Sequence, residues 1–176
     1  MSEFLTDVHA LRAKARRDIT SGPVTDAYGA DLPRVIEMLN TALATEIVCT
    51  LRYRQHHFMA QGMNSEPVAQ EFLAHSNEEQ EHADLLAGRI TQLGGTPGMD
   101  PESLVGRAHS EYIPAHDLRQ MIEENLVAER IAIASYTEMI GWIGDGDPTT
   151  KRVLEQILAR EEEHADDMLT FLGADG

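Results

Sequence analysis

A pattern of glutamate and histidine residues occurs twice in this chain and limits the folds open to it. The first copy consists of Glu46, Glu79 and His82, and the second consists of Glu129, Glu161 and His164. The spacing between the two glutamates of a copy agrees between the copies to within one position, and each second glutamate precedes its histidine by the same short step. Such an internal repeat indicates two equivalent structural units packed against each other.

The sequence around this pattern has helical periodicity in four long segments, each with a start signal and a stop signal. Asp31 and Asp117 are candidate N-caps, and Gln120 fits a capping box with Asp117. Proline in a first turn and glycine after a last turn mark the other boundaries. No run of residues alternates between apolar and polar as a strand would. The predicted helices cover residues 31–61, 65–94, 117–144 and 147–173.

Helices of this length pack side by side as a bundle, and short connections make the first and last pairs antiparallel hairpins. Residues 95–116 can run the length of the bundle, and residues 101–108 within them are predicted to form a short helix. Residues 1–30 combine a weakly amphipathic stretch with a turn-rich one and are predicted to form an arm. We therefore expect an all-α protein: a four-helix bundle in residues 31–173, with one long crossover link and an N-terminal arm.

The acids of the repeat interrupt the apolar stripe of each helix near its middle. Since residues three apart share a helix face, Glu79 with His82, and Glu161 with His164, each present a carboxylate and an imidazole together. No Lys or Arg lies on these stripes near the acids. Four buried, unpaired carboxylates would cost several kcal/mol each. Two divalent cations would balance their charge, so the pattern predicts a two-metal site with one histidine for each metal.

The ligand types favour iron or manganese, because they combine oxygen and nitrogen without thiolate, although zinc is also compatible with them. Paired metals roughly 3.5 to 4 Å apart can hold one small molecule between them. Taken singly, each glutamate could equally be a solvated charge and each histidine a packed core residue. The shared register of all six residues is what favours the metal site.

Several other residues on these helix faces have two interpretations. We predict site roles for Tyr53 and Tyr136, as hydrogen-bond donors to ligating carboxylates, with ordinary core packing as the alternative. His75, one turn before Glu79, either packs in the core or takes part in metal uptake. Cys49 is predicted to pack, since free cysteine is among the most buried residue types.

The net charge of −16 argues against a general nucleic-acid binder and suits a protein that attracts cations. The single cysteine excludes an internal disulfide and a cysteine-rich zinc site. The first residues do not form a basic region followed by an apolar run, and no apolar stretch approaches the roughly 20 residues that cross a bilayer. We expect a soluble, cytoplasmic protein without membrane contact.

Residues 31–172 resemble the ferritin-like superfamily, specifically its bacterioferritin and Dps-like branch. The resemblance is carried by EQEHAD at residues 79–84 and EEEHAD at residues 161–166, together with the glutamates of the other two helices. It implies two iron ions per subunit, with manganese or zinc as possible substitutes. The implied ligands are Glu79 and Glu161 as bridges, Glu46 and Glu129 as terminal carboxylates, and His82 and His164 on one metal each.

The resemblance also implies an activity. Members of this family act as ferroxidases, oxidising Fe(II) with hydrogen peroxide or oxygen, and they store the ferric mineral in a homo-oligomeric cage. Such a protein limits oxidative stress by removing iron and peroxide together. The alternatives are a DNA-protecting Dps-type protein and a di-iron or di-manganese peroxidase that makes no cage. The only basic cluster, in residues 12–17, is too short to favour DNA binding against the charge of the chain.

Departures from the family pattern refine these expectations. Gln80 stands where bacterioferritins have a haem-binding methionine, so no haem is expected. Glu78 and Arg160 stand where the family often has an aspartate that orients a histidine. Only four residues follow Leu172, whereas cages of 24 subunits use a further short helix there. We therefore expect a cage of 12 subunits.

Overall fold

Six helices form the regular structure of residues 7–62 and 65–174, the part of the chain that the computed structural model describes. The four long helices lie within two residues of the predicted bounds at every end, and no strand occurs among the described residues. The prediction of an all-helical fold is confirmed. The helices are α1 (Val8–Arg17), α2 (Leu32–Met59), α3 (Ser65–Gln92), α4 (Pro101–Arg107), α5 (Leu118–Ile143) and α6 (Pro148–Ala174).

The helix boundaries follow from local hydrogen bonding. Asp31 and Asp117 are N-caps, and the Asp117 carboxylate accepts from the Gln120 backbone N–H at 2.8 Å. The side chain of Gln120 reaches back one residue further than in a standard capping box and accepts from the His116 N–H. At the end of α5, Gly144 has a φ of 51°, a conformation that glycine adopts without strain.

Two apolar clusters fill the bundle, one towards each end. The first contains Leu39 of α2 and Leu86 of α3, and the second contains Phe72 of α3 and Met168 of α6. On each long helix, the glutamate of the repeat lies between its contributions to the two clusters. The fold therefore places one polar layer between two apolar ones. None of the described helices is both long enough and apolar enough to span a bilayer.

The segment between α3 and α5 lies along α2. Near the start of α2, the Gly98 N–H donates to the Asn40 side chain at 2.6 Å. Leu104 of α4 packs against the middle of α2. Close to the end of α2, the Ile113 carbonyl lies 3.3 Å from His56 Nε2. These contacts follow α2 from its third turn to its last.

A buried polar network holds the second half of this segment. Arg52 Nε donates to Asn125 Oδ1 at 2.9 Å, and Arg52 Nη1 donates to the Glu111 carbonyl at 3.0 Å. The Asn125 side-chain amide donates to His56 Nδ1 at 3.1 Å, so the Nε2–H of a neutral His56 is free to donate to Ile113. Burial, reinforced by the charge of Arg52, lowers the pKa of His56 to about 4.

We expect acid to weaken this network through His56. As the pH falls from about 6.5 to 4, His56 takes up a proton in the unfolded chain but not in the folded chain. The free energy of unfolding therefore decreases over this pH range. The free energy of unfolding should decrease by about 1 to 3 kcal/mol between these pH values. Urea titrations at pH 7 and pH 4 of the parent protein and His56→Gln should show a smaller acid loss in the variant. Equal losses would mean that His56 does not titrate in this way.

The N-terminal residues contact the bundle at the turn between α5 and α6. The Tyr28 hydroxyl donates to the Asp147 carboxylate at 2.9 Å, and the Gly29 N–H donates to the Gly146 carbonyl at 3.1 Å. Asp147 also accepts from Arg89 of α3 at 2.9 Å. None of the residues of α1 is buried.

Candidate metal centre

The structure brings the six residues of the repeat together in the polar layer. All are buried, with relative exposures between 1% and 5%. Their side chains form two overlapping sets of four, and within each set one ligand atom per residue lies within 4.8 Å of the others. Glu79 and Glu161 belong to both sets. The first set is completed by Glu46 and His82, and the second by Glu129 and His164.

Buried atoms without a hydrogen-bond partner concentrate here. Among the described residues, seven buried side-chain nitrogen and oxygen atoms have none, and six of the seven belong to this group. Leaving such atoms buried and unpaired costs about 1 to 3 kcal/mol each. Cations placed between them would remove that cost, so the donor set fits a pair of metal ions. The six atoms are Glu46 Oε2, Glu79 Oε1 and Oε2, Glu161 Oε1, His82 Nδ1 and His164 Nδ1.

Both histidines turn the same nitrogen towards the carboxylates. His82 Nδ1 lies 3.0 Å from a Glu161 oxygen and 3.4 Å from a Glu46 oxygen. His164 Nδ1 lies 3.6 Å from Glu79 and 4.0 Å from Glu161. An imidazole that binds a metal through one nitrogen keeps the other for an orienting hydrogen bond.

The two tyrosines bond across the bundle. The Tyr53 hydroxyl of α2 donates to Glu129 on α5, and the Tyr136 hydroxyl of α5 donates to Glu46 on α2. Each tyrosine thus donates to a glutamate that belongs to one donor set and not to both. Both side chains are buried, so they also contribute to the apolar clusters. The hydroxyl group of each tyrosine donates a hydrogen bond to a carboxylate of the cluster, while its aromatic ring packs in the core.

Glu78 takes the orienting position that the sequence left open. Its carboxylate lies 2.6 Å from His164 Nε2, the ring nitrogen that faces away from the cluster. Arg160, at the matching position of the other copy, contacts Glu163 and lies 3.7 Å from Glu78. Within the part of the chain that the structure describes, His82 has no equivalent carboxylate behind its ring. The two halves of the centre therefore differ in how firmly the histidine is held.

We expect Glu78→Gln to lower the affinity of the centre for one of its two cations by about 10- to 100-fold, the usual effect of removing an orienting carboxylate. The other cation should bind nearly as before, because His164 is the one residue of the six that Glu78 contacts. Competition titrations with Zn(II) measure both affinities. Glu81→Gln, which removes an exposed carboxylate from the same helix, is the control. Unchanged affinities in Glu78→Gln would show that the contact has no orienting role.

The charges of the cluster oppose one another. Burial, reinforced by the charge of Glu79, raises the pKa of Glu46 to about 8. Burial likewise raises the pKa of Glu161 well above its usual value. Burial would also raise the pKa of Glu79, but the neighbouring imidazoles of His164 and His82 favour its ionised form and lower that pKa below its usual value. Cations that bind here must displace protons, so metal affinity should increase with pH.

His75 and Cys49 lie beside the cluster. The His75 ring stacks on His164 with centroids 4.0 Å apart, and its Nδ1 lies 3.3 Å from the Tyr53 hydroxyl. Burial and the charge of His164 lower the pKa of His75 to about 4. Cys49 is buried, as predicted, and its sulfur accepts a weak hydrogen bond from Arg52 at 3.5 Å.

Comparison with known proteins matches this geometry to one family. The family profile described as a ferritin-like domain matches residues 36–175. A nutrient stress-induced DNA-binding protein from Nostoc sp. is 30% identical over 149 residues, which cover 80% of this chain and 78% of that protein. A bacterioferritin from Brucella melitensis is 30% identical over 141 residues, covering 80% and 83%.

A solved structure agrees with the sequence relatives. The dodecameric thioferritin of Bacteroides fragilis, a bacterioferritin-related protein, superposes with a TM-score of 0.80 at 33% identity, covering 83% of this chain and 88% of that one. The family profile covers α3, α5 and α6 and all of α2 after its first four residues. By its sequence, its helical bundle and the glutamate and histidine residues that meet inside it, the chain belongs to the ferritin-like family.

Proposed function

We propose that this protein is a ferroxidase that binds two iron ions per subunit, oxidises Fe(II) and stores the product. The observation that supports this most strongly is the pair of overlapping donor sets that share Glu79 and Glu161. Two shared carboxylates hold two cations at close range, the arrangement that serves two-metal chemistry. With iron bound, the centre supplies electrons to hydrogen peroxide or oxygen. Manganese or zinc would fit the same oxygen and nitrogen ligands.

In this proposal each residue has a distinct task. Glu79 and Glu161, which belong to both donor sets, would hold both cations. Tyr53 and Tyr136 orient the terminal carboxylates by hydrogen bonding, and their buried hydroxyls can hold or pass on a proton near the reacting ions. The apolar clusters on either side limit the access of water. The terminal ligands are Glu46 and Glu129, and the imidazole ligands are His82 and His164.

We propose a homo-oligomeric cage of 12 subunits, with a mass twelve times the 19.5 kDa of one chain. A dodecameric relative from Bacteroides fragilis supports this number. The charge of −16 per chain would draw Fe(II) towards the assembly. The same charge opposes DNA binding, which we propose is not a function of this chain although the Nostoc relative is named for it.

We also propose that residues 31–173 form the functional bundle, with the segment that lies along α2 as its crossover link. Residues 1–30 would be an arm that is not needed for the centre. The exposed surface of α1 supports this division.

Storage can be tested by adding several hundred Fe(II) per cage, with oxygen or peroxide, followed by size-exclusion chromatography with light scattering. Ferric iron should elute with a protein peak at the mass of a dodecamer, and oxidation should be at least about tenfold faster than without protein. Iron that precipitates separately would contradict storage. The mass of a monomer or dimer would favour the peroxidase alternative, and a gel shift at physiological salt would favour DNA protection.

A further inference from the structure

A second group of ligand-type side chains lies outside the centre, where α3 and α6 meet the solvent. His75 Nε2 lies 3.3 Å from a Glu71 oxygen and 3.4 Å from an Asp167 oxygen. The His75 side chain is only 2% exposed, whereas those of Glu71 and Asp167 are 36% and 50% exposed. One ligand atom from each lies within 4.8 Å of the others. The group therefore has a buried nitrogen at its base and two solvated carboxylates at its opening.

Hydrogen bonding decides which nitrogen of His75 carries the proton. The Tyr53 hydroxyl has one hydrogen, and it is donated to Glu129. The same oxygen can therefore only accept from His75 Nδ1, 3.3 Å away. In the neutral imidazole, the proton then lies on Nδ1, and Nε2 has a lone pair. This buried lone pair points at two carboxylates that cannot donate to it, so a cation is the partner that satisfies all three groups.

We propose that Glu71, His75 and Asp167 bind a third divalent cation of the first transition row, in a site distinct from the two-metal centre. Two carboxylate oxygens and one imidazole nitrogen are ligands that Fe(II), Mn(II), Co(II) and Zn(II) all accept. The open side towards solvent leaves room for water ligands. With three protein ligands and partial exposure, this site binds more weakly than the buried centre.

Its position gives the site a role, which rests on the proposed function. The His75 ring stacks on His164, and His75 also contacts Tyr53, the hydrogen-bond partner of Glu129. A cation on His75 is thus one layer of side chains away from the second donor set. The site collects Fe(II) from solvent and delivers it to that half of the centre.

The test compares the double variant Glu71→Gln/Asp167→Asn with the control Glu81→Gln/Asp166→Asn. Both remove two charges from α3 and α6, but the control residues are exposed and have no contact with His75. Equilibrium titration of the metal-free protein with Co(II) should give three ions per chain in the parent and control and two in the double variant. His75→Phe, which preserves an aromatic ring on His164, should also bind two. A zinc-soaked crystal should show anomalous density at Glu71, His75 and Asp167 in the parent and in the control, and none there in the double variant.

The kinetic readout separates this site from the centre. At limiting Fe(II), the rate of the fast oxidation phase should fall about tenfold in the double variant, while that phase still saturates at two ions per chain. Three bound ions in every variant would overturn the third site alone. Crystal density at both donor sets of the centre, with none at Glu71, His75 and Asp167, would do the same. If the parent bound no pair of inner ions, the proposed function would fail instead, and density at Glu71, His75 and Asp167 would still decide the third site.

Discussion

Glu79→Ala is expected to lower the initial rate of Fe(II) oxidation more than about 100-fold. Glu79 belongs to both donor sets, so its loss removes a ligand from each cation at once. Orienting residues that do not touch a metal already contribute about 10- to 100-fold, and a shared ligand should exceed that range. Stopped-flow absorbance of the ferric product, at two Fe(II) per chain, measures this rate directly.

Glu81→Ala is the matched control for this experiment. It removes the same side chain from the same helix two residues away, where the carboxylate is exposed. We expect its rate to stay within about twofold of the parent. His75→Ala should give an intermediate loss, because it affects delivery and not the ligands of the centre. Similar losses in Glu79→Ala and Glu81→Ala would show that the wrong face of α3 has been assigned to the site.

Glu161→Gln is expected to stabilise the metal-free protein and to abolish most of the stabilisation that metal confers. The pKa of Glu161 is raised because burial and the charges of Glu79 and Glu46 oppose its ionised form. Removing this charge should relieve about 1 to 2 kcal/mol and raise the melting temperature by roughly 4 °C. The parent should instead gain about 4 kcal/mol when a cation is present at a thousand times its Kd.

Calorimetry of both proteins with and without Zn(II) tests this reversal. Glu162→Gln, which removes the adjacent exposed carboxylate, should change neither melting temperature by more than about 1 °C. A variant that melts below the parent without metal would mean that the carboxylate stabilises the bundle by itself. A full metal response in Glu161→Gln would mean that Glu161 is not a ligand.

The sequence predicted the long helices and the convergence of the six residues because both depend on local rules. Helix periodicity places Glu79 and His82 on one face, and caps such as Asp31 fix where the helices begin. The offset of the two copies then sets the six side chains at one level. The distant contacts between the hairpins follow from the internal repeat, because two equivalent hairpins pack with their matching levels together.

The interactions that could not be predicted from the sequence depend on pairs that are far apart in the chain. The contact of Glu78 with His164 joins residues 86 positions apart, and either residue alone gives no sign of it. The group of Glu71, His75 and Asp167 could not be predicted for the same reason, because Asp167 contacts His75 only when α6 packs against α3. Arg52 would be assigned to the surface by its charge, yet it is buried, because groups on α5 and the link supply its acceptors.

Whether the buried layer holds two cations per chain can be measured by titration with Fe(II). Metal-free protein is loaded anaerobically with increasing Fe(II) and then mixed with oxygen or peroxide, and the amplitude of the fast oxidation phase is recorded. We expect this amplitude to rise linearly and to saturate at two Fe(II) per chain, as a layer that holds two cations requires. Saturation at one ion, or the absence of a fast phase, would contradict it.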